Sequence, residues 1–177
     1  GELAAGRSAN VEAIAHLGKA LELLGTLPNS REQPDDELNL QLAIGGPLLA
    51  TKGYAAPEAG TAYRRALELC LELGDTARQF SVLHGLWHFH YNRTELDAAR
   101  SLAEQLVDVA KGRQDPGLEL AADRALGYTL NDLGDYYCCR GRYGQAELLY
   151  KRALAIREHT LAPQHPEWKT KEPFKSV

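Results

Sequence analysis

Three histidines in one short stretch, His84, His88 and His90, are the residues of this chain best suited to chemistry. On a helix, His84 and His88 share a face one turn apart, a spacing at which two imidazoles can hold one metal ion. A structural site needs a third and a fourth ligand, and the segment HGLWH lacks the glutamate of the HExxH motif. The histidines therefore read as groove-lining or partly buried side chains. Cys138 and Cys139 are adjacent, so on a helix their thiols point to different faces and could close only a strained ring; they read as helix-packing thiols. Asp35, Asp36, Asp132 and Asp135 could in principle do acid–base work, but helix-start and solvated-face roles account for them equally well. No GxxxxGK[ST], GxGxxG or GxSxG motif occurs, so neither a nucleotide site nor a serine nucleophile is expected, and no cofactor or metal is called for.

What must position these residues is legible in the composition. The chain has 177 residues, 25% charged and 44% hydrophobic, enough for one domain with a real core. Leu (29) and Ala (25) far outnumber Ile (3) and Val (5), which favours helices over strands. A net charge of −4 argues against a non-specific nucleic-acid or anionic-membrane binder. No run of 18 apolar residues exists to span a membrane, and no secretory leader is expected. Three cysteines without a disulfide framework suit a reducing, cytoplasmic compartment. The absence of methionine leads to the expectation that the chain is a piece of something longer.

Helical punctuation predicts seven helices. Ser8 or Asn10 is expected to cap the first, which stops at the turn Thr26-Leu27-Pro28-Asn29. The second starts at Pro34-Asp35-Asp36-Glu37, and Gly45-Gly46-Pro47 is expected to bend or interrupt it. The third begins at Pro57-Glu58 and ends at Gly74, the fourth spans about Thr76 to Asn92, and the fifth runs from Thr94 to Gly112. After the break Asp115-Pro116-Gly117, an apolar-periodic stretch reaches Tyr137 and could form a single helix of more than twenty residues, ended by Gly141. Gln145 to His159 makes the last, and residues 163–177 are expected to form a tail without regular structure.

The helices repeat one pattern: small, three residues, large, two residues, small. It occurs at Ala13–Leu17–Ala20, Ala59–Tyr63–Ala66 and Ala146–Tyr150–Ala153. Small residues let two helices approach while the large one fills the hole between them. Together with Leu130-x2-Leu133-Gly134-x2-Tyr137 and Gly141-x-Tyr143, this resembles the tetratricopeptide repeat, a helix-turn-helix unit of about 34 residues. The ending LAIREHTLAPQHPE is similar to the longer variant, of about 42 residues, in kinesin light chains and bacterial regulators. In the fourth helix, Leu83 and Leu86 fall on the family's Leu-type positions, His90 on its Tyr position and Trp87 on its Gly position. More broadly, Gly6 to Leu133 resembles the region downstream of the ATPase module in large bacterial signalling proteins, many with nucleotide-cyclase or LuxR-type output domains.

The resemblance implies an all-α, right-handed helical solenoid over residues 1–162, with a truncated first repeat, acting as a non-catalytic scaffold. It further implies a concave groove that binds a peptide or protein through Ser81, His84, His88 and Tyr91 of the fourth helix and Tyr128, Asn131, Asp135 and Cys138 of the sixth. None of the eight is basic, unlike the family's clamp for a C-terminal carboxylate, so a basic or neutral ligand is expected. Exposed solenoid ends would also allow a homodimer. Two other functions stay open: a small-molecule or metal sensor, with His84, His88 and Tyr91 in a pocket coupled to an attached ATPase or cyclase, and a plain spacer.

Overall fold

The computed structural model describes residues 2–28 and 32–161 and contains, among them, seven helices and no strand: α1 (Glu2–Thr26), α2 (Gln33–Lys52), α3 (Pro57–Leu73), α4 (Thr76–Asn92), α5 (Leu96–Arg113), α6 (Pro116–Cys139) and α7 (Tyr143–Leu161). Local chemistry sets most of the boundaries. Asp75 and Asp115 cap α4 and α6, each accepting two backbone N–H bonds, and Pro57 and Pro116 occupy first-turn positions where no N–H is needed. Gly74 closes α3 in the left-handed conformation.

Each helix packs on its neighbours in sequence, and in addition α2 touches α4 and α4 touches α6. No such contact joins α1, α3, α5 and α7 to one another. The even-numbered helices are thus the closer-set row, and the stack of antiparallel pairs curves toward them. This is the architecture of an all-α helical repeat solenoid.

The core follows from the faces of α4. Val82 and Leu86 join Leu38, Tyr63, Ala66 and Leu69 of α2 and α3, while Phe80, Leu83 and Trp87 join Ala99, Ala103, Leu106, Ala122, Leu126 and Leu130 of α5 and α6. A third cluster, with Ile44, Leu48, Ala59 and Ala62, takes in Ile14, Leu17 and Leu21 of α1. Ion pairs tie helices at their edges: Arg65 grips Glu37 with two nitrogens at 2.7 and 3.0 Å, Arg78 joins Asp75 to Asp35 of α2, and Arg152 reaches Glu104 at 3.0 Å.

Two expectations need correction. The first helix begins at Glu2, so Ser8 and Asn10 lie inside it and cap nothing. Of the bend or interruption expected at Gly45-Gly46-Pro47, the interruption does not occur, since α2 runs through to Lys52. An interior proline costs about 3 kcal/mol, but burying Ile44 and Leu48 on either side offsets it. Trp87 packs toward α5 and α6, while Gly85 of the same helix meets the Tyr63 ring of the preceding helix α3, a ring that also abuts Gly45 of α2. Residues 127–137 form continuous helix inside α6. The expected tail, 163–177, lies outside the described residues.

Tyr63 is held between two glycines and cannot retreat from a new Cβ. Gly85→Ala should therefore cost about 2 kcal/mol and lower the melting temperature by about 4–8 °C. Gly18, inside α1 with no atom near its missing Cβ, is the control: Gly18→Ala should raise the melting temperature by roughly 2–4 °C, both changes being read by circular dichroism.

Candidate functional site

The inner row presents α4 and α6 side by side, and a short polar seam joins them. Trp87, buried to 5% exposure, donates its indole N–H to the hydroxyl of fully buried Thr129 at 2.9 Å, and that hydroxyl in turn donates to the Ala125 carbonyl at 2.8 Å. One turn along, Tyr91 donates to an Asp132 carboxylate oxygen at 2.6 Å. Both polar groups of the buried seam are therefore satisfied, as an apolar core demands.

Trp87 anchors a run of rings along α4. Its indole lies 5.6 Å from His84, 4.6 Å from His88 and 5.1 Å from Tyr91, centroid to centroid. His84 and His88 meet edge to face at 4.7 Å, Phe80 lies behind His84 at 6.1 Å, and Tyr54, from the turn between α2 and α3, covers His88 at 5.3 Å. Burial makes a charged imidazole costly here: it lowers His84, and together with the neighbouring His84 it brings His88 down to about 4. At neutral pH the pair is uncharged. Burial, and then the bond to Asp132, raise the Tyr91 phenol, so it keeps the proton that it donates.

The eight residues expected to line the groove divide into two groups. On α4 the structure brings His84, His88 and Tyr91 together around Trp87, with the three half-buried, while Ser81 is exposed at the start of the run. On α6, Tyr128, Asn131, Asp135 and Cys138 are all exposed along one face. Tyr128 is close enough to Tyr91 to influence its phenol electrostatically. Asp135 accepts a 2.6 Å bond from Tyr150 of α7, and Cys138 lies at a hollow also lined by Tyr143, Ala146, Tyr150 and Leu154. Sequence reasoning missed Tyr54, whose place depends on the turn after Gly53, and weighed Asp132 only as an acid–base carboxylate, not as the partner of Tyr91 one residue off the regular row. His90 faces elsewhere and bonds Glu95 at 2.6 Å. Among the described residues no three His, Cys, Asp or Glu side chains form a ligand set for a metal ion, and no helix is long and apolar enough to cross a membrane.

Residues 126–167 match the family model of the tetratricopeptide repeat. Within the described residues that segment takes in α6 from Leu126 onward and all of α7, the pair locked where Tyr150 packs on Gly134. No curated protein and no solved structure matches the chain.

The neutral histidine pair makes stability depend on pH. In the unfolded chain both imidazoles titrate near 6.5, while in the fold they refuse the proton. Their contribution is present above that value and is lost as pH falls from about 6.5 toward about 4. Urea unfolding at about pH 5 should show a loss on the order of 1 kcal/mol relative to about pH 7, and the double variant His84→Phe, His88→Phe should remove most of that difference.

Proposed function

We propose that the chain is a non-catalytic protein-binding scaffold, a tetratricopeptide arm whose α4–α6 face takes up a polypeptide segment. The observation that carries this reading is the surface itself. Half-buried rings on α4 and exposed Tyr128, Asn131 and Asp135 on α6 lie side by side in the row toward which the stack curves. Extended inner surfaces of this kind are what repeat solenoids use for binding. Rigid aromatic side chains supply contact area at little entropic cost, and Asn and His can meet a partner's backbone amides. The repeat match at residues 126–167 supports the same assignment. The resemblance of residues 6–133 to the region downstream of ATPase modules supports placing the scaffold in a larger bacterial signalling protein of the cytoplasm.

Selection from a displayed peptide library tests the reading. Peptides enriched on the wild-type chain should bind the double variant His84→Ala, Asn131→Ala about tenfold or more weakly, with helicity and melting checked by circular dichroism. Equal binding to both proteins, or no enrichment, would sink the assignment of this face.

A further inference from the structure

The chemistry of the α4–α6 face specifies the kind of partner, an inference that rests on the binding reading above. Asp132 and Asp135 stand one turn apart on α6, on the same side as Tyr128. Each is oriented by a phenol from a different neighbouring helix, Asp132 by Tyr91 of α4 and Asp135 by Tyr150 of α7, both at 2.6 Å. A phenol donor is neutral, so it fixes a carboxylate without cancelling its charge. Asp135 itself pushes the Tyr150 phenol up to about 12, which keeps that donor protonated.

Among the described residues, no lysine or arginine comes within ion-pair distance of either carboxylate, whereas Glu37, Asp35 and Glu104, at helix junctions elsewhere, are each met by an arginine. The aromatic groups add a second and independent attraction. Tyr128 is 50% exposed beside the carboxylates, and the half-buried Tyr91 ring is backed by the Trp87 indole. An aromatic face next to a carboxylate suits a guanidinium, which can stack on one and hydrogen-bond the other. Two cations flank this stretch of α6: Arg124, exposed one turn before Tyr128, and Arg140, which lies over the Tyr136 ring at 4.6 Å beyond Asp135.

We propose that the partner segment is basic, and that an arginine side chain of it seats on α6 between Tyr128 and the Asp132–Asp135 pair. The bound chain then runs over Tyr91 toward His88 and Tyr54, where uncharged rings accept its apolar or backbone groups. Affinity arises from a charge complement held in place before binding, so little of it is spent on ordering side chains.

The test uses the full chain and three short peptides: one with two arginines among glycine and tyrosine, its citrulline twin with the same shape and no charge, and its glutamate twin. Calorimetry should show the arginine peptide binding about tenfold more tightly than the citrulline peptide, with the glutamate peptide weakest and the preference shrinking as salt is raised. Asp132→Asn, Asp135→Asn keeps shape and an acceptor for each tyrosine; with its melting curve unchanged, it should erase the preference for arginine while leaving citrulline-peptide binding intact. Equal binding of the arginine and citrulline peptides to wild type, or a preference that survives in the variant, would overturn the basic-partner proposal alone. Binding of none of the three would overturn it together with the reading on which it rests.

Discussion

Two helices can approach to ring contact only where one of them carries no side chain, and three junctions of this protein are built on that constraint. Tyr63 of α3 fills the space left by Gly45 and Gly85, Phe89 of α4 presses on Gly60 of α3, and Tyr150 of α7 presses on Gly134 of α6. An aromatic ring in a glycine socket gives dense contact at a fixed separation, and a fixed separation gives a fixed angle between neighbours. The alanines one turn away, Ala59, Ala66, Ala146 and Ala153, are buried for the same reason. This joint sets the packing of α2 on α3, α3 on α4 and α6 on α7, while α4 is aligned with α6 through Trp87 and Thr129.

That alignment decides which side chains share the inner face. Trp87 is too large for a glycine socket, and it is accommodated because α4 turns it toward α6, where Thr129 receives its N–H. A buried polar bond contributes little net stability but penalises any register in which it is broken. The seam therefore fixes which residues of α4 face which residues of α6. His84, His88 and Tyr91 then form a continuous uncharged surface, and the carboxylates lie together farther along α6. The face has a neutral half and an anionic half as a consequence of one tryptophan's position.

The sequence carried the helices well because leucine spacing, proline and aspartate at helix starts and glycine at helix ends all act locally. The limits of α4 and the glycine at the end of α3 are examples. It failed where tertiary burial competed with a local rule, as at Pro47, whose neighbours Ile44 and Leu48 hold the helix together. Gly85 left no signal either, because its contact with Tyr63 of the preceding helix lies outside the repeat motif. The eight expected groove positions came from the resemblance to the repeat, and of those on α4 the structure gathers His84, His88 and Tyr91 around Trp87. Tyr54 and the pairing of Asp132 with Tyr91 were not legible, because a turn and a contact between helices about forty residues apart leave no short-range signature.

The two kinds of joint also differ mechanically. A ring wedged between backbones, as Tyr63 is between α2 and α4, resists both compression and sliding, because every displacement either overlaps atoms or opens a void. The bond between Trp87 and Thr129 resists sliding but stretches readily, and once opened to solvent both of its groups find water. Pulling α4 from α6 would break that bond and also open the cluster that Phe80, Leu83 and Trp87 share with Ala99, Leu106, Leu126 and Leu130, so directional bond and apolar packing fail together there.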